Sequence, residues 1–336
     1  MILDKPGDRG AGTITVKQPV LVLAPMAEIT HSAFRHLTEG FGGCDLYYTE
    51  MLSVGALLNV SPYEKFYTDL LPLPSKTIIQ FVGEEPEYFH RAAVKMAGTG
   101  AAGFDINMGC SIGTIRNKGW GIELMSQPEK VREILRGVRS AAPDKSLSVK
   151  LRLGIMEDEK SLFNFCELLL EEGVDFISLN PKTGREGRNR TGRWEWVSLL
   201  QKRLPIPVFG NSDITGWESY RRKVETATPA GVMIGRGAAA CPWIFALIKG
   251  REKSTDFKME INLKETAEDF FRLLKKYQPD DFHLSRSRRF FFYYCENLKF
   301  SHRTRYDIQN SSSLNCVEDL IFSYFERNPE EVCRIF

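Results

Sequence analysis

Leu21-Val22-Leu23-Ala24-Pro25-Met26 is a short apolar run that ends in Pro25-Met26 and lacks the GxGxxG turn of an open dinucleotide-binding sheet. Seven similar runs follow, over Asp45–Thr49, Thr77–Phe81, Gly103–Asn107, Leu147–Leu151, Val174–Leu179, Pro207–Phe209 and Gly231–Ile234. Amphipathic stretches alternate with them: Ser32–Gly40, Leu52–Leu58, Glu85–Met96, Pro128–Val138, Ser161–Leu170, Trp194–Leu204, Trp217–Val224 and Pro242–Ile248. The runs read as continuously apolar, as strands buried on both faces of a parallel sheet should be. Eight strand–helix units within about 230 residues predict a closed (β/α)8 TIM barrel.

Past Gly250 the strand-like runs stop. Helical spacing over Leu263–Tyr277 (Leu263, Ala267, Phe270, Phe271, Leu274), Arg286–Leu298 and Val317–Phe325, with a polar loop at Gln309–Ser313, predicts a smaller all-helical C-terminal domain. The expected organisation is an N-terminal arm (1–17), a barrel (18–249) and a helical domain (250–336).

Composition sets the outer limits. The 336 residues are 43% hydrophobic and 26% charged, which excludes a wholly disordered chain, a collagen-like repeat and a disulfide-dense miniature. Apolar runs such as Val20–Met26 fall short of the ~18–20 residues a membrane span needs. Met1 to Lys17 has no apolar core, so neither membrane nor secretory signal is expected. The seven cysteines form no CxxC pair and no metal-ligand spacing with the five histidines. Reduced thiols, mostly in the core, and a cytoplasmic location without a metal are the expectation. A net charge of +2 is too small to signal nucleic acid, so any basic surface must come from local clustering.

In such a barrel, chemistry gathers at the carboxyl ends of the strands. Those positions hold Pro25-Met26, Glu50, Gln80, Asn107 with Cys110, Lys150 with Arg152, Asn180 with Lys182, Gly210-Asn211 and Gly235-Arg236. Amides, a Lys and an Arg at nearly every strand end exceed what solubility requires. Gly235-Arg236-Gly237, opening a helix, suits an anion such as phosphate. Lys150 sits inside an apolar run and is expected to face a ligand. Gln80 can donate and accept, which suits a heterocyclic imide edge. Cys110, on a loop just past a strand and before a Gly-rich segment (Gly113, Gly119, Gly121), is placed to react.

These residues together resemble the dihydrouridine synthase family of flavoenzymes, which reduce uridines in tRNA. The resemblance rests on Ala24-Pro25-Met26, Tyr48-Thr49-Glu50-Met51, Gln80-Phe81, Asn107-Met108-Gly109-Cys110, Val149-Lys150-Leu151-Arg152-Leu153-Gly154, Val232-Met233-Ile234-Gly235-Arg236-Gly237 and Pro242-Trp243-Ile244-Phe245, in that order. It implies an FMN-binding barrel with NADPH as reductant. The implied cofactor contacts are Ala24, Pro25, Met26, Gln80, Lys150, Asn180, Asn211, Ser212, Asp213, Gly235 and Arg236. The phosphate is expected at Asn211, Gly235 and Arg236, the ring near Pro25, Met26, Gln80 and Lys150. Hydride from flavin N5 is expected at uracil C6, with Cys110 as the acid that protonates C5. A free cysteine thiol, of pKa about 8.5, is mostly protonated near neutral pH and can do so. The chain departs from the usual family pattern at Ser111 (Pro), at Asn180-Pro181-Lys182-Thr183 (a His, then Arg-Thr) and at Ser212 (Gly).

The expected partner is tRNA, with rRNA as the alternative; DNA is not expected, and the chain is expected to act as a monomer. Two basic clusters qualify for RNA. One is Lys182, Arg185, Arg188, Arg190 and Arg193, with Glu186 the only acid and Trp194 and Trp196 close behind. The other is Arg286, Arg288, Arg289, Lys299, Arg303 and Arg305. Asn107, Arg152, Lys182, Arg185, Arg188, Arg190, Arg286 and Arg289 are the candidate substrate contacts. The block Phe290-Phe291-Phe292-Tyr293-Tyr294 reads as helix core. Two other readings remain open: an FMN barrel that reduces a small enone or free pyrimidine, and a catalytically inactive RNA-binding relative.

Overall fold

The computed structural model describes residues 18–187 and 189–336. Eight parallel strands appear where the sequence places them: β1 (Val20–Leu23), β2 (Tyr47–Ser53), β3 (Thr77–Val82), β4 (Gly103–Met108), β5 (Ser146–Arg152), β6 (Phe176–Asn180), β7 (Val208–Gly210) and β8 (Gly231–Ile234). Consecutive strands pair from β2 through β8, and β8 pairs with β1. A bridge between Val22 and Leu46 joins β1 to the approach of β2, with Leu23 N–H donating to Leu46 O at 2.9 Å. That bridge closes the ring. The chain is a (β/α)8 barrel followed by a helical region.

The strands differ from expectation in their pattern. On β4 and β5 the outward residues Phe104, Ile106, Met108, Leu147, Val149 and Leu151 are apolar and join the main core against the helices. The intervening Asp105, Asn107, Ser148 and Lys150 are polar. The deeper interior is apolar and includes Val22, Ile78, Phe176, Phe209 and Met233. Above it lie the buried polar groups Gln80, Asp105 and Ser148. Side chains alternate across a strand, so this polar set faces the barrel interior and floors its carboxyl-terminal mouth.

The C-terminal region is built from the helices Leu263–Tyr277, Asp280–Tyr294, His302–Gln309 and Leu314–Arg327. Asn262 caps the first by accepting Glu265 N–H at 3.0 Å, and Ser313 caps the last by accepting Cys316 N–H at 3.2 Å; such a cap contributes about 1 kcal/mol. The second helix begins at Asp280, six residues before the expected Arg286. Pro279 precedes it and two aspartates occupy its first turn, a start signal that the apolar spacing alone does not carry. Helix His302–Gln309 has no apolar stripe to announce it, because only Thr304 and Ile308 are buried along it. A two-stranded antiparallel ribbon, β9 (Glu260–Asn262) with β10 (Cys333–Ile335), corrects the all-helical expectation. Its three-residue strands are too short to show a period.

Phe290, Phe291 and Tyr294 are fully buried, and Phe270 stacks on Phe290 at 3.9 Å. Phe34 of the barrel helix Ser32–Gly40 lies 6.1 Å from Phe290. The expected domain boundary at 249/250 falls inside helix Ile244–Lys253, and the expected arm 1–17 lies outside the described residues. All seven cysteines are free, but only Cys44, Cys166 and Cys295 are buried, fewer than expected. No helix among the described residues is long and apolar enough to cross a membrane.

Candidate active site

A cavity of about 800 Å³ opens at the carboxyl ends of the strands. Ala24, Pro25, Met26, Asn107, Cys110, Lys150, Arg152, Asn180, Lys182, Asn211, Ser212, Asp213, Gly235 and Arg236 all line it. Arg289 reaches it from the helical region, with Tyr293, Glu296 and Asn297. The last three carry no signal in the sequence, since they reach the mouth only through the docking of helix Asp280–Tyr294 and the turn Cys295–Asn297 that follows it.

Cys110 is partly exposed on the loop after β4. Its N–H donates to Asn107 Oδ1 at 2.9 Å, as does Gly109 N–H at 3.2 Å. Its carbonyl accepts Ile122 N–H at 3.1 Å. That return contact needs Gly121, whose φ is +64° and whose added Cβ would lie 2.5 Å from Cys110 O. Arg152 Nε donates to Gly109 O at 3.0 Å and its Nη1 to Thr183 O at 2.8 Å, so one guanidinium joins the Cys110 loop to the loop after β6. Arg152 therefore spends these donors on backbone carbonyls.

Gln80 requires a correction. It is fully buried and does not line the cavity. Its Nε2 donates to Asp105 Oδ2 at 2.7 Å and its Oε1 accepts Asn107 Nδ2 at 2.9 Å, so both amide ends are engaged within the barrel. Gln80 pairs with Asp105 across the sheet, whereas Asn107 pairs with Lys150. Gln80 thus sits one layer beneath the mouth.

Burial, and then the positive charge of Arg152, pulls the Lys150 ammonium down to about 8. No described residue is within hydrogen-bonding reach of Lys150 Nζ. Asn180 Oδ1 is likewise buried without a partner. Burial pushes the Asp105 carboxyl up to about 6, against the hydrogen bonds of Ser148 and Gln80.

On the far side of the mouth, Asp213 has φ +55°. Its carboxylate collects Lys182 Nζ at 3.0 Å, Gly192 N–H at 2.7 Å and Arg236 Nη2 at 3.3 Å. Burial raises its pKa, but the Gly192 N–H, Lys182 and Ser212 outweigh burial and hold it below the ordinary value. Lys182 is thus a buried wall residue, not an exposed RNA contact. Two cations around one carboxylate leave the cluster with a surplus positive charge. Asn211 Nδ2 donates to Met233 O at 2.7 Å.

The basic loop divides. Arg185 is exposed, Arg190 is 76% exposed and 3.9 Å from Glu186, and Arg188 lies outside the described residues. Arg193 is held by Glu186 at 2.6 Å and Glu157 at 3.2 Å. Trp194 is buried with its indole N–H on Ser212 O, and Trp196 donates to Glu157, so both rings serve the fold.

Arg286 also requires correction as an RNA contact. It is 1% exposed and pairs with Glu50 Oε2 at 2.9 Å. It also donates to Gln278 Oε1 and lies 4.7 Å over the Phe282 ring. Glu50 Oε1 in turn accepts Glu28 N–H at 2.6 Å. Arg286 lies on the helix face that meets the barrel, while Arg289, three residues on, reaches the cavity. The signal in the sequence is Glu50 itself, a carboxylate within a buried strand and needing a cation.

Comparison with known proteins adds to this geometry. The family model described as "Dihydrouridine synthase (Dus)" matches residues 22–323. The chain belongs to the dihydrouridine synthase family. It is accordingly an oxidoreductase. A probable tRNA-dihydrouridine synthase 1 of Synechocystis sp. is 28% identical over 313 residues, covering 92% of this chain and 87% of that protein. A probable tRNA-dihydrouridine synthase of Aquifex aeolicus is 34% identical over 255 residues, or 74% of this chain and 77% of that protein. Among solved structures, a 2-naphthoyl-CoA reductase in complex with 2-naphthoyl-CoA matches with TM-score 0.52 and 12% identity. The match covers 67% of this chain and 49% of the reductase, and at that identity it speaks to the fold alone. Ser111, Asn180 and Ser212, where the chain departs from the usual family pattern, all line the cavity.

Proposed function

We propose that this chain reduces the C5=C6 bond of specific uridines in tRNA to dihydrouridine, with FMN bound at the barrel mouth and NADPH as reductant. The observation that carries the reading is that Cys110 lines the same cavity as Lys150 and Asn180. The residues fit FMN. A half-buried ammonium and a buried carbonyl oxygen, both without hydrogen-bond partners, offer a donor and an acceptor to a polar ring. The surplus charge of the Lys182–Asp213–Arg236 cluster suits a phosphate. Ala24, Pro25, Met26, Lys150 and Asn180 would flank the ring, and Asn211, Ser212, Gly235 and Arg236 the phosphate.

The chemistry FMN supplies when bound is a hydride equivalent for uracil C6, drawn from NADPH. Hydride addition at C6 leaves negative charge over C5 and O4. The Cys110 thiol delivers a proton to C5, so the ring gains one hydride and one proton. Lys150 remains largely cationic at neutral pH and stabilises negative charge in the mouth. Asn107 and Arg152 hold the loop that carries the thiol.

Purified protein is expected to be yellow, to bleach with NADPH, and to form dihydrouridine in an unmodified tRNA transcript, read by mass spectrometry of the nucleosides. A colourless preparation that FMN does not restore would leave an RNA-binding module. Product formed on rRNA but not on tRNA would move the substrate. Arg185, Arg190 and Arg289 are the exposed or cavity-facing cations proposed to meet the phosphates. Reversing charge at Arg185→Glu and Arg190→Glu should weaken RNA binding most at low salt. The slope of log affinity against log salt should flatten by about one for each phosphate no longer neutralised. An unchanged slope would return the loop to solvent.

A further inference from the structure

A hydrogen-bonded chain runs from the barrel interior to the Cys110 loop, and the chemistry proposed above leaves its inner end without a task. The buried Asp105 carboxylate accepts Ser148 Oγ at 2.6 Å and Gln80 Nε2 at 2.7 Å. Gln80 Oε1 accepts Asn107 Nδ2 at 2.9 Å, and Asn107 Oδ1 accepts Cys110 N–H at 2.9 Å. An amide has a donor end and an acceptor end, whereas a carboxylate only accepts. Asp105 therefore dictates which way Gln80 turns, and Gln80 dictates which way Asn107 turns. Were Gln80 reversed, its NH2 would face that of Asn107. Asn107 would then have to turn its own NH2 toward the Cys110 N–H, and the loop would lose its anchor.

We propose that Asp105 is a positioning residue for Cys110, setting the polarity of the Gln80 and Asn107 amides and so fixing the loop that presents the thiol. The inference rests on Cys110 being the acid. Glutamine and methionine are similar in length, so Gln80→Met removes both amide ends with little change in volume. In that variant the alkylation of Cys110 by iodoacetamide, located by peptide mass mapping, should change in rate by about threefold or more. The kcat for uridine reduction should fall about tenfold or more while KM for the RNA holds, as for a group displaced from its reacting geometry. Asp105→Asn still offers an oxygen to Gln80 Nε2 and should hold both values nearer the parent than Asp105→Leu does.

A folded Gln80→Met protein with parental alkylation and kcat overturns the proposal. If that variant does not fold, equal alkylation rates in Asp105→Asn, Asp105→Leu and the parent overturn it. Full activity of Cys110→Ala would sink the functional reading, whereas the alkylation rates judge the positioning role independently of turnover.

Discussion

Cys110→Ala is expected to fold, to bind FMN and to be reduced by NADPH, yet to form dihydrouridine at least about 100-fold more slowly than the parent at saturating tRNA. The expected loss is that of a positioned general acid, whose removal typically costs 10²–10⁴-fold. Folding should survive because Cys110 serves the loop through its backbone. Its N–H bonds Asn107 and its carbonyl bonds Ile122, and alanine keeps both. Cys110→Ser adds a sharper comparison. A hydroxyl of similar size is a far weaker acid than a thiol, so geometry is kept and proton delivery is not. Serine should therefore recover little of the rate. The measurement is single-turnover formation of dihydrouridine after reduction by NADPH, beside the visible spectrum of the bound flavin. A rate within about threefold of the parent in Cys110→Ala would remove the thiol from the chemistry.

The largest expected effect on stability lies at Arg286. Arg286→Met should destabilise the protein by about 3–5 kcal/mol, because it leaves the Glu50 carboxylate buried without its cation. Burial already pushes the Glu50 carboxyl up against the pull of Arg286, the Glu28 N–H and Arg35, and without Arg286 the two lesser partners remain to oppose it. The double variant Glu50→Gln/Arg286→Met removes both charges and should regain much of the loss. Urea unfolding of the two single variants and the double would read this as a coupling free energy. A single-variant loss below about 1 kcal/mol would place the pair with ordinary surface ion pairs.

The fold was legible because a parallel barrel needs only local signals: an apolar run, a helix and a repeat of eight. The strand-end residues were legible for a related reason. All eight strands run the same way, so every strand end reaches one face whatever its place in the chain. Depth was not legible. Gln80 follows its apolar residues as Asn107 does, but its register with Asp105 sinks it a layer below Asn107 and Lys150. Register is a relation between strands that no single strand records.

Arg286 and Arg289 show the same limit for helices. Three residues apart on one helix, they look alike in sequence, and only the docking of that helix sends one to Glu50 and the other to the cavity. Lys182 was found as a mouth residue, but its burial goes with an ion pair to Asp213 on a different loop. The 260–262 and 333–335 ribbon lacked any local signal, because its halves lie some seventy residues apart.

Arg152 has a wider effect. Because its guanidinium bonds both Gly109 O and Thr183 O, the loop after β6 and the loop that carries Cys110 share one hinge pin. The two loops cannot then drift apart independently. Under the function proposed above, a strand that tugs on the basic loop would also shift the thiol, and one side chain would couple the two.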